Sequence, residues 1–170
     1  MVIIVFGLPG SGKTYFASCL TKLLRSDYIN SDRLRKELFK ERTYSEQEIA
    51  TVYNEMLVKM RAAVNQKKNL VLDATFHKND KREPFVKEME GKGGIYFIEV
   101  RANENLIQER LKKDRPYSEA DFEVYNFIRK HWEPLNEPHL LLESTGENVD
   151  TMLQKAVDYL KWKDDKRTDQ

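Results

Sequence analysis

The stretch VIIVFGLPGSGKT, residues 2–14, decides the fold. Its first five residues, Val2 to Phe6, form an apolar run rich in β-branched side chains. Such a run reads as a strand covered on both faces. It meets a turn with glycines at 7, 10 and 12, after which apolar residues recur at helical spacing (Phe16, Ala17, Leu20, Leu23 and Leu24). Glycine lacks a Cβ, so the turn can aim successive backbone N–H groups into one concavity, and the helix adds its dipole and its unpaired N–H donors. The spacing Gly7-x-x-x-x-Gly12-Lys13-Thr14 fits the P-loop pattern. Gly10, Ser11, Gly12, Lys13 and Thr14 are therefore expected to hold a nucleoside triphosphate. Lys13 would reach the β- and γ-phosphates, and the Thr14 hydroxyl would ligate Mg²⁺. A glycine-rich turn that binds nothing is the plain alternative. The strand before it and the helix after it, both demanded by the motif, weigh against that alternative.

Four more apolar runs follow: Tyr28–Asn30, which is weak, Leu70–Asp73, Ile95–Val100 and Leu140–Glu143. Between them lie helical patterns. One carries the stripe Ile49, Val52, Tyr53, Met56, Leu57, Met60 and Val64 and opens with a capping box, Ser45-x-x-Glu48. Asn79 and Asn103 are expected N-caps, Ser118-x-x-Asp121 starts another helix, and Val149 to Leu160 forms the last. Gly91, Gly93 and Gly94 stop a helix before the fourth strand. Alternating strands and helices predict an open α/β sheet of parallel strands with helices on both faces. Ligands in such sheets bind beyond the carboxyl ends of the strands, so functional residues should follow the apolar runs.

With 170 residues the chain is expected to form a single domain over 1–163, with a polar tail over 164–170. It has 29 basic and 28 acidic residues, a balance that neither marks nor excludes a nucleic-acid partner. The basic groups Lys78, Lys81 and Arg82, and Arg110, Lys112, Lys113 and Arg115, read as solvated helix faces or as local anion sites. One cysteine, Cys19, excludes an internal disulfide and points to a buried helix face, not a redox site. No membrane-spanning run and no secretory signal are visible, and the expected location is the cytoplasm. No zinc-type His/Cys spacing occurs, and no obligate protein partner is evident. His77 reads as a loop residue.

Asp32 follows the second run. It can cap a helix, with Ser31 as the other candidate cap, or it can serve as the base that takes a proton from an acceptor hydroxyl during phosphoryl transfer. Arg35 lies one turn later. It can pair with Asp32 as a surface salt bridge or bind an anionic group on the acceptor. Asp73 ends the third run. It can sit behind Mg²⁺, hold Arg35, or cap the turn towards Thr75 and Asn79. The stretch ERLKKDRPYSEADF, residues 109–122, resembles a lid in which Pro116 breaks a helix and Arg115 is placed to neutralise charge on the transferred phosphoryl group. Arg110 is expected to contact the nucleotide.

Taken together, GLPGSGKT, SDRLRKEL, VLDATF and the basic lid resemble the small P-loop kinases related to polynucleotide 5′-kinase. The resemblance runs roughly from Val2 to Ser144. It implies a three-layer P-loop kinase fold of about five parallel strands with the P-loop strand central and a small helical lid. It implies Asp32 as the group that activates the acceptor hydroxyl, Arg35 as the contact to the acceptor's neighbouring phosphate, and Arg115 on the ATP phosphates. ATP and Mg²⁺ are the implied cofactors. The acceptor it favours is the 5′-OH of DNA or RNA. A small metabolite, sugar or antibiotic is the alternative, and an acceptor-free ATPase or switch a lesser one.

Overall fold

The computed structural model describes residues 1–113 and 118–168. Five strands, β1 (Val2–Phe6), β2 (Asp27–Asn30), β3 (Leu70–Asp73), β4 (Ile95–Arg101) and β5 (Leu140–Glu143), form one sheet in the order β2-β3-β1-β4-β5. Every pairing is parallel, and the order puts the P-loop strand β1 at the centre. The described helices are α1 (Lys13–Leu24), α2 (Ser31–Leu38), α3 (Glu46–Asn65), α4 (Asn79–Met89), α5 (Glu104–Leu111), α6 (Phe122–Lys130) and α7 (Val149–Thr168). This is the P-loop kinase fold with helices on both faces.

Alternation along β1 divides the core. Val2, Ile4 and Phe6 face α3 and α4, where they meet Val52, Met56, Met60, Phe85 and Met89. Ile3 and Val5 face α1 and α7, against Phe16, Ala17, Leu20, Met152, Ala156 and Leu160. All five β1 side chains are buried, which explains why that run shows no polar alternation. β2 is an edge strand with its first three residues partly or fully exposed, and its apolar signal is correspondingly weak.

Several local expectations are corrected. Asn30, not Ser31 or Asp32, caps α2: its side-chain oxygen accepts from Arg33 N–H at 2.9 Å, and Asp32 sits inside the first turn. Lys78 occupies the N-cap of α4, and Asn79 is its first helical residue. The Glu133 carboxylate, from the loop after α6, accepts the Asn79 N–H at 2.6 Å and supplies the missing cap. Ser45 and Asn103 cap α3 and α5 as expected, but α6 starts three residues later than the Ser118-x-x-Asp121 pattern places it: Asp121 is its N-cap and accepts the Val124 N–H at 2.9 Å. Leu23 is exposed, because α1 packs on the sheet through Phe16, Ala17 and Leu20, with Leu24 partly buried beside them. Cys19 is half-buried. Arg82 is not a solvated cation: it is buried, and it donates to Phe76 O, Glu133 O, Pro134 O and the Asn79 side chain, clasping α4 to the 133–134 segment. α7 continues through residues 164–168 of the expected tail. Among the described residues no helix is long and apolar enough to cross a membrane.

Candidate active site

The glycines of the 7–12 loop hold backbone that only glycine tolerates well. Gly10 and Gly12 have φ values of 79° and 94°, and a Cβ on Gly12 would lie 3.0 Å from both Arg110 Nη1 and Ser144 Oγ. At Gly7 the obstacle is harder, since a Cβ would lie 2.3 Å from the Val100 carbonyl oxygen. The loop is therefore pressed against the end of β4 and against Arg110. Gly12 is the N-cap of α1, whose first turn offers N–H groups that no helical carbonyl can take up. Lys13 Nζ lies 3.4 Å from Leu8 O, folded back over the loop.

A cavity of about 440 Å³ opens beside this loop. It is lined by Gly10, Gly12, Lys13 and Thr14, from the loop and the start of α1, and by Asn30 and Asp32, from the junction of β2 and α2. Lys113, Ser118, Ser144 and Met152 contribute further wall. Its volume falls within the roughly 300–1,000 Å³ usual for small-molecule sites. Asp32 thus shares the cavity of Lys13, on the same side of the sheet. Arg110 also lines it. The guanidinium donates to Gly10 O at 3.2 Å, Ser11 O at 3.0 Å and Ser144 Oγ at 3.0 Å, so it braces the loop from the α5 side. Desolvation lowers the Arg110 pKa from its ordinary value.

The placing of Asp32 traces to Asp73. Parallel pairing sets Asn30 opposite Asp73, and Asp73 is fully buried. Its Oδ2 accepts from Asn30 Nδ2 at 2.6 Å and from the Tyr28 hydroxyl at 2.8 Å. The same Asn30 amide caps α2 with its oxygen, so one side chain ties the β3 carboxylate to the helix that carries Asp32. Burial, followed by the Asp73 charge, strongly raises the Tyr28 pKa and keeps its hydroxyl a donor. Asp73 neither holds Arg35 nor caps the turn towards Asn79. Its Oδ1 is buried without a protein partner.

Arg35 differs from its expectation. It is 5% exposed and makes an ion pair with Glu48, Nη1 to Oε1 at 2.6 Å, in place of a surface bridge to Asp32. The Tyr44 ring covers the guanidinium at 4.6 Å. Burial pushes the Glu48 carboxyl up, but the Arg35 bond and the donors of Thr43 outweigh it and hold the pKa at about 2. Half of the capping box forms: Ser45 Oγ accepts the Glu48 N–H, while the Glu48 carboxylate turns to Arg35, Thr43 and Tyr44. Arg115 and Pro116 lie outside the described residues. The cavity-lining Ser144, Gly146, Asn148 and Met152 carry no motif, and sequence reading missed them.

The donor set suits a phosphate tail with its metal. Three glycines, the α1 terminus and Lys13 suit anionic oxygens, and the Thr14 hydroxyl suits a hard cation. Among the described residues no cluster of three or more His, Cys, Asp or Glu could hold a metal by itself. Mg²⁺ fits as an ion carried in by phosphates with one or two protein oxygens. Asp73 Oδ1, at the end of β3, is a buried acceptor that no protein donor satisfies.

A family model described as an AAA domain matches residues 2–135. No curated protein sequence matches the chain. Among solved structures, a sugar kinase from Janibacter sp. HTCC2649 superposes with a TM-score of 0.72 at 14% identity, covering 94% of each chain. The Mycobacterium tuberculosis APS kinase CysC, in complex with AMPPNP and APS, superposes at 0.69 with 19% identity, covering 94% of this chain and 96% of the other. Shikimate kinase from Acinetobacter baumannii, in complex with shikimate, superposes at 0.64 with 15% identity, covering 95% and 93%.

Proposed function

This chain belongs to the AAA domain family, and on that premise we propose that it is an ATP-dependent kinase that phosphorylates a hydroxyl group of a small acceptor. One observation carries the reading: the carboxylate of Asp32 and the P-loop residues Lys13 and Thr14 line a single cavity. Phosphoryl transfer asks the protein for positioning and charge stabilisation, with a carboxylate to take the acceptor proton. Gly10 to Thr14 would bind the phosphate tail, with Lys13 on the β- and γ-phosphates. Mg²⁺ on Thr14 would neutralise charge on the phosphates when bound. Asp32 would orient the acceptor hydroxyl and accept its proton. The acceptor oxygen then bonds to the γ-phosphorus, the bond to the β,γ-bridging oxygen breaks, and ADP leaves. Asp73 acts through Asn30 on the position of Asp32. Arg110 would support the nucleotide end of the cavity, and Arg115 remains the proposed phosphate contact from the lid.

The fate of Arg35 bears on the acceptor. Its Nη1 is committed to buried Glu48 and its face to Tyr44, which weakens the reading of a phosphate contact on a polynucleotide end. The named neighbours, kinases of a sugar, of APS and of shikimate, support a small acceptor. A polynucleotide 5′-hydroxyl is the second reading, favoured by the string SDRLRKEL. Incubation with [γ-³²P]ATP and Mg²⁺ against a panel of polyhydroxylated metabolites and 5′-OH oligonucleotides tests both. Label on a small hydroxyl compound and none on oligonucleotides is the expected result. Label on oligonucleotide ends alone selects the second reading, and phosphate release with no labelled acceptor overturns the kinase.

A further inference from the structure

The loop between α2 and α3, residues 39–45, is fastened at a point the chemistry above does not use. Glu119, 77 residues downstream of Arg42, accepts from Arg42 Nε at 2.8 Å and Nη2 at 2.6 Å on its Oε1. Its Oε2 accepts the Tyr44 hydroxyl at 3.1 Å. Both carboxylate oxygens thus grip one loop. The preceding residue, Ser118, lines the main cavity together with Asp32. Tyr44 is a bulky residue in the left-handed region, with φ at 54°, a conformation that costs on the order of 1–3 kcal/mol and persists only where several contacts enforce it. Three contacts do so: its hydroxyl on Glu119, its N–H on Glu48 Oε2 at 3.2 Å, and its ring on the Arg35 guanidinium. Burial, the Glu119 bond and, with less weight, the Asp32 charge push the Tyr44 hydroxyl up to about 12. The Tyr44 side chain therefore feels the candidate base.

We propose that Glu119 is a positioning residue, a latch that fastens the 39–45 loop to the cavity rim at Ser118, holds Tyr44 over Arg35 and so sets how far the site opens beside Asp32. The two elements are far apart in sequence, and both oxygens of one carboxylate join them, next to the rim residue Ser118. The chain of contacts runs from the rim through Glu119 and Tyr44 to Arg35, on the helix that carries Asp32. Releasing Glu119 frees the loop to move away from the rim without touching any group that binds phosphate. The latch is an exposed contact, and single surface pairs contribute little to global stability, so its effect is local. The functional consequence rests on the kinase reading; the mechanical one does not.

Thr43 and Tyr44 supply the reporters, since their N–H groups are bonded to Glu48. Hydrogen exchange of the full-length protein is measured by mass spectrometry for wild type, Glu119→Ala, Glu119→Gln and Tyr44→Phe, with binding of a fluorescent ATP analogue and acceptor-independent ATP hydrolysis in parallel. Glu119→Ala should speed exchange at least tenfold in peptides covering 39–45, leave the analogue's affinity within twofold, and raise hydrolysis by water several-fold as the rim opens. Glu119→Gln keeps an acceptor for Tyr44 and should fall between. Exchange that accelerates only around 118–121, or throughout the chain with a lowered unfolding midpoint, overturns the latch. Unchanged hydrolysis beside loosened 39–45 peptides overturns its control of the opening. Failure of the wild type to bind the analogue instead removes the kinase reading, and the exchange result still reports on the latch.

Discussion

Replacing Arg35 with alanine separates two roles that the sequence leaves open. If Arg35 serves the acceptor, Arg35→Ala should fold normally and bind acceptor poorly. The structure dictates otherwise. Arg35 and Glu48 side chains are 6% and 4% exposed, and their charged atoms meet at 2.6 Å. Deleting one partner leaves a buried carboxylate without its cation, at a cost of about 3–5 kcal/mol. The loss of the stacked Tyr44 contact adds to this. With a urea m-value of about 2 kcal/mol per M, the unfolding midpoint should fall by roughly 1.5–2.5 M. The double variant Arg35→Met with Glu48→Leu removes both charges and fills the space with apolar groups. It should recover to within about 1–2 kcal/mol of wild type, because apolar replacement of a buried pair is often neutral. Urea unfolding followed by circular dichroism measures all three proteins. A single variant whose midpoint stays within about 0.3 M of wild type would show that the pair does not hold α2 on α3, and the acceptor role for Arg35 would return.

Glu48 also links stability to pH. Its folded pKa, about 2, lies below the ordinary value of 4.5, so its contribution is complete above pH 4.5 and is lost as pH falls towards 2. About 2 kcal/mol of it is lost between pH 5 and 3, read as a falling unfolding midpoint, and Glu48→Gln should flatten that slope. Gly7→Ala should be severely destabilising, at about 3 kcal/mol or more, because the new Cβ meets the backbone oxygen of Val100. Gly91→Ala at φ 70°, with open space around it, should cost only about 1 kcal/mol; equal thermal shifts for the two variants would refute the close packing of loop and β4.

What could be read in advance follows from the physics of each residue. β1, β3 and β5 lie where their runs begin and end; β1 and β3 are covered on both faces, whereas β5 is an edge strand with only Leu142 buried. β2 and β4 each extend one residue further than their runs, to Asp27 and Arg101. The P-loop was legible from its motif, whereas β2, which leads into Asp32, does not adjoin the P-loop strand: β3 lies between them. The partners of Arg35 and Asp73 were not legible. Glu48 already had a local explanation in the capping box, and only folding turned its carboxylate across a 13-residue separation. Asn30 and Tyr28 reach Asp73 through strand register, at separations of 43 and 45 residues that leave no periodicity to read. Glu119 had no signal either, since an exposed glutamate in a charged loop looks like any other.

The central claim, that a carboxylate opposite the P-loop performs the transfer, is tested most directly by Asp32→Ala assayed for nucleotide binding and single-turnover transfer from [γ-³²P]ATP to the acceptor the panel identifies. Affinity for ATP should stay within a few-fold of wild type while the transfer rate falls by about 10²–10⁴. Transfer that survives at the wild-type rate would contradict the account and leave the cavity as a nucleotide-binding site alone.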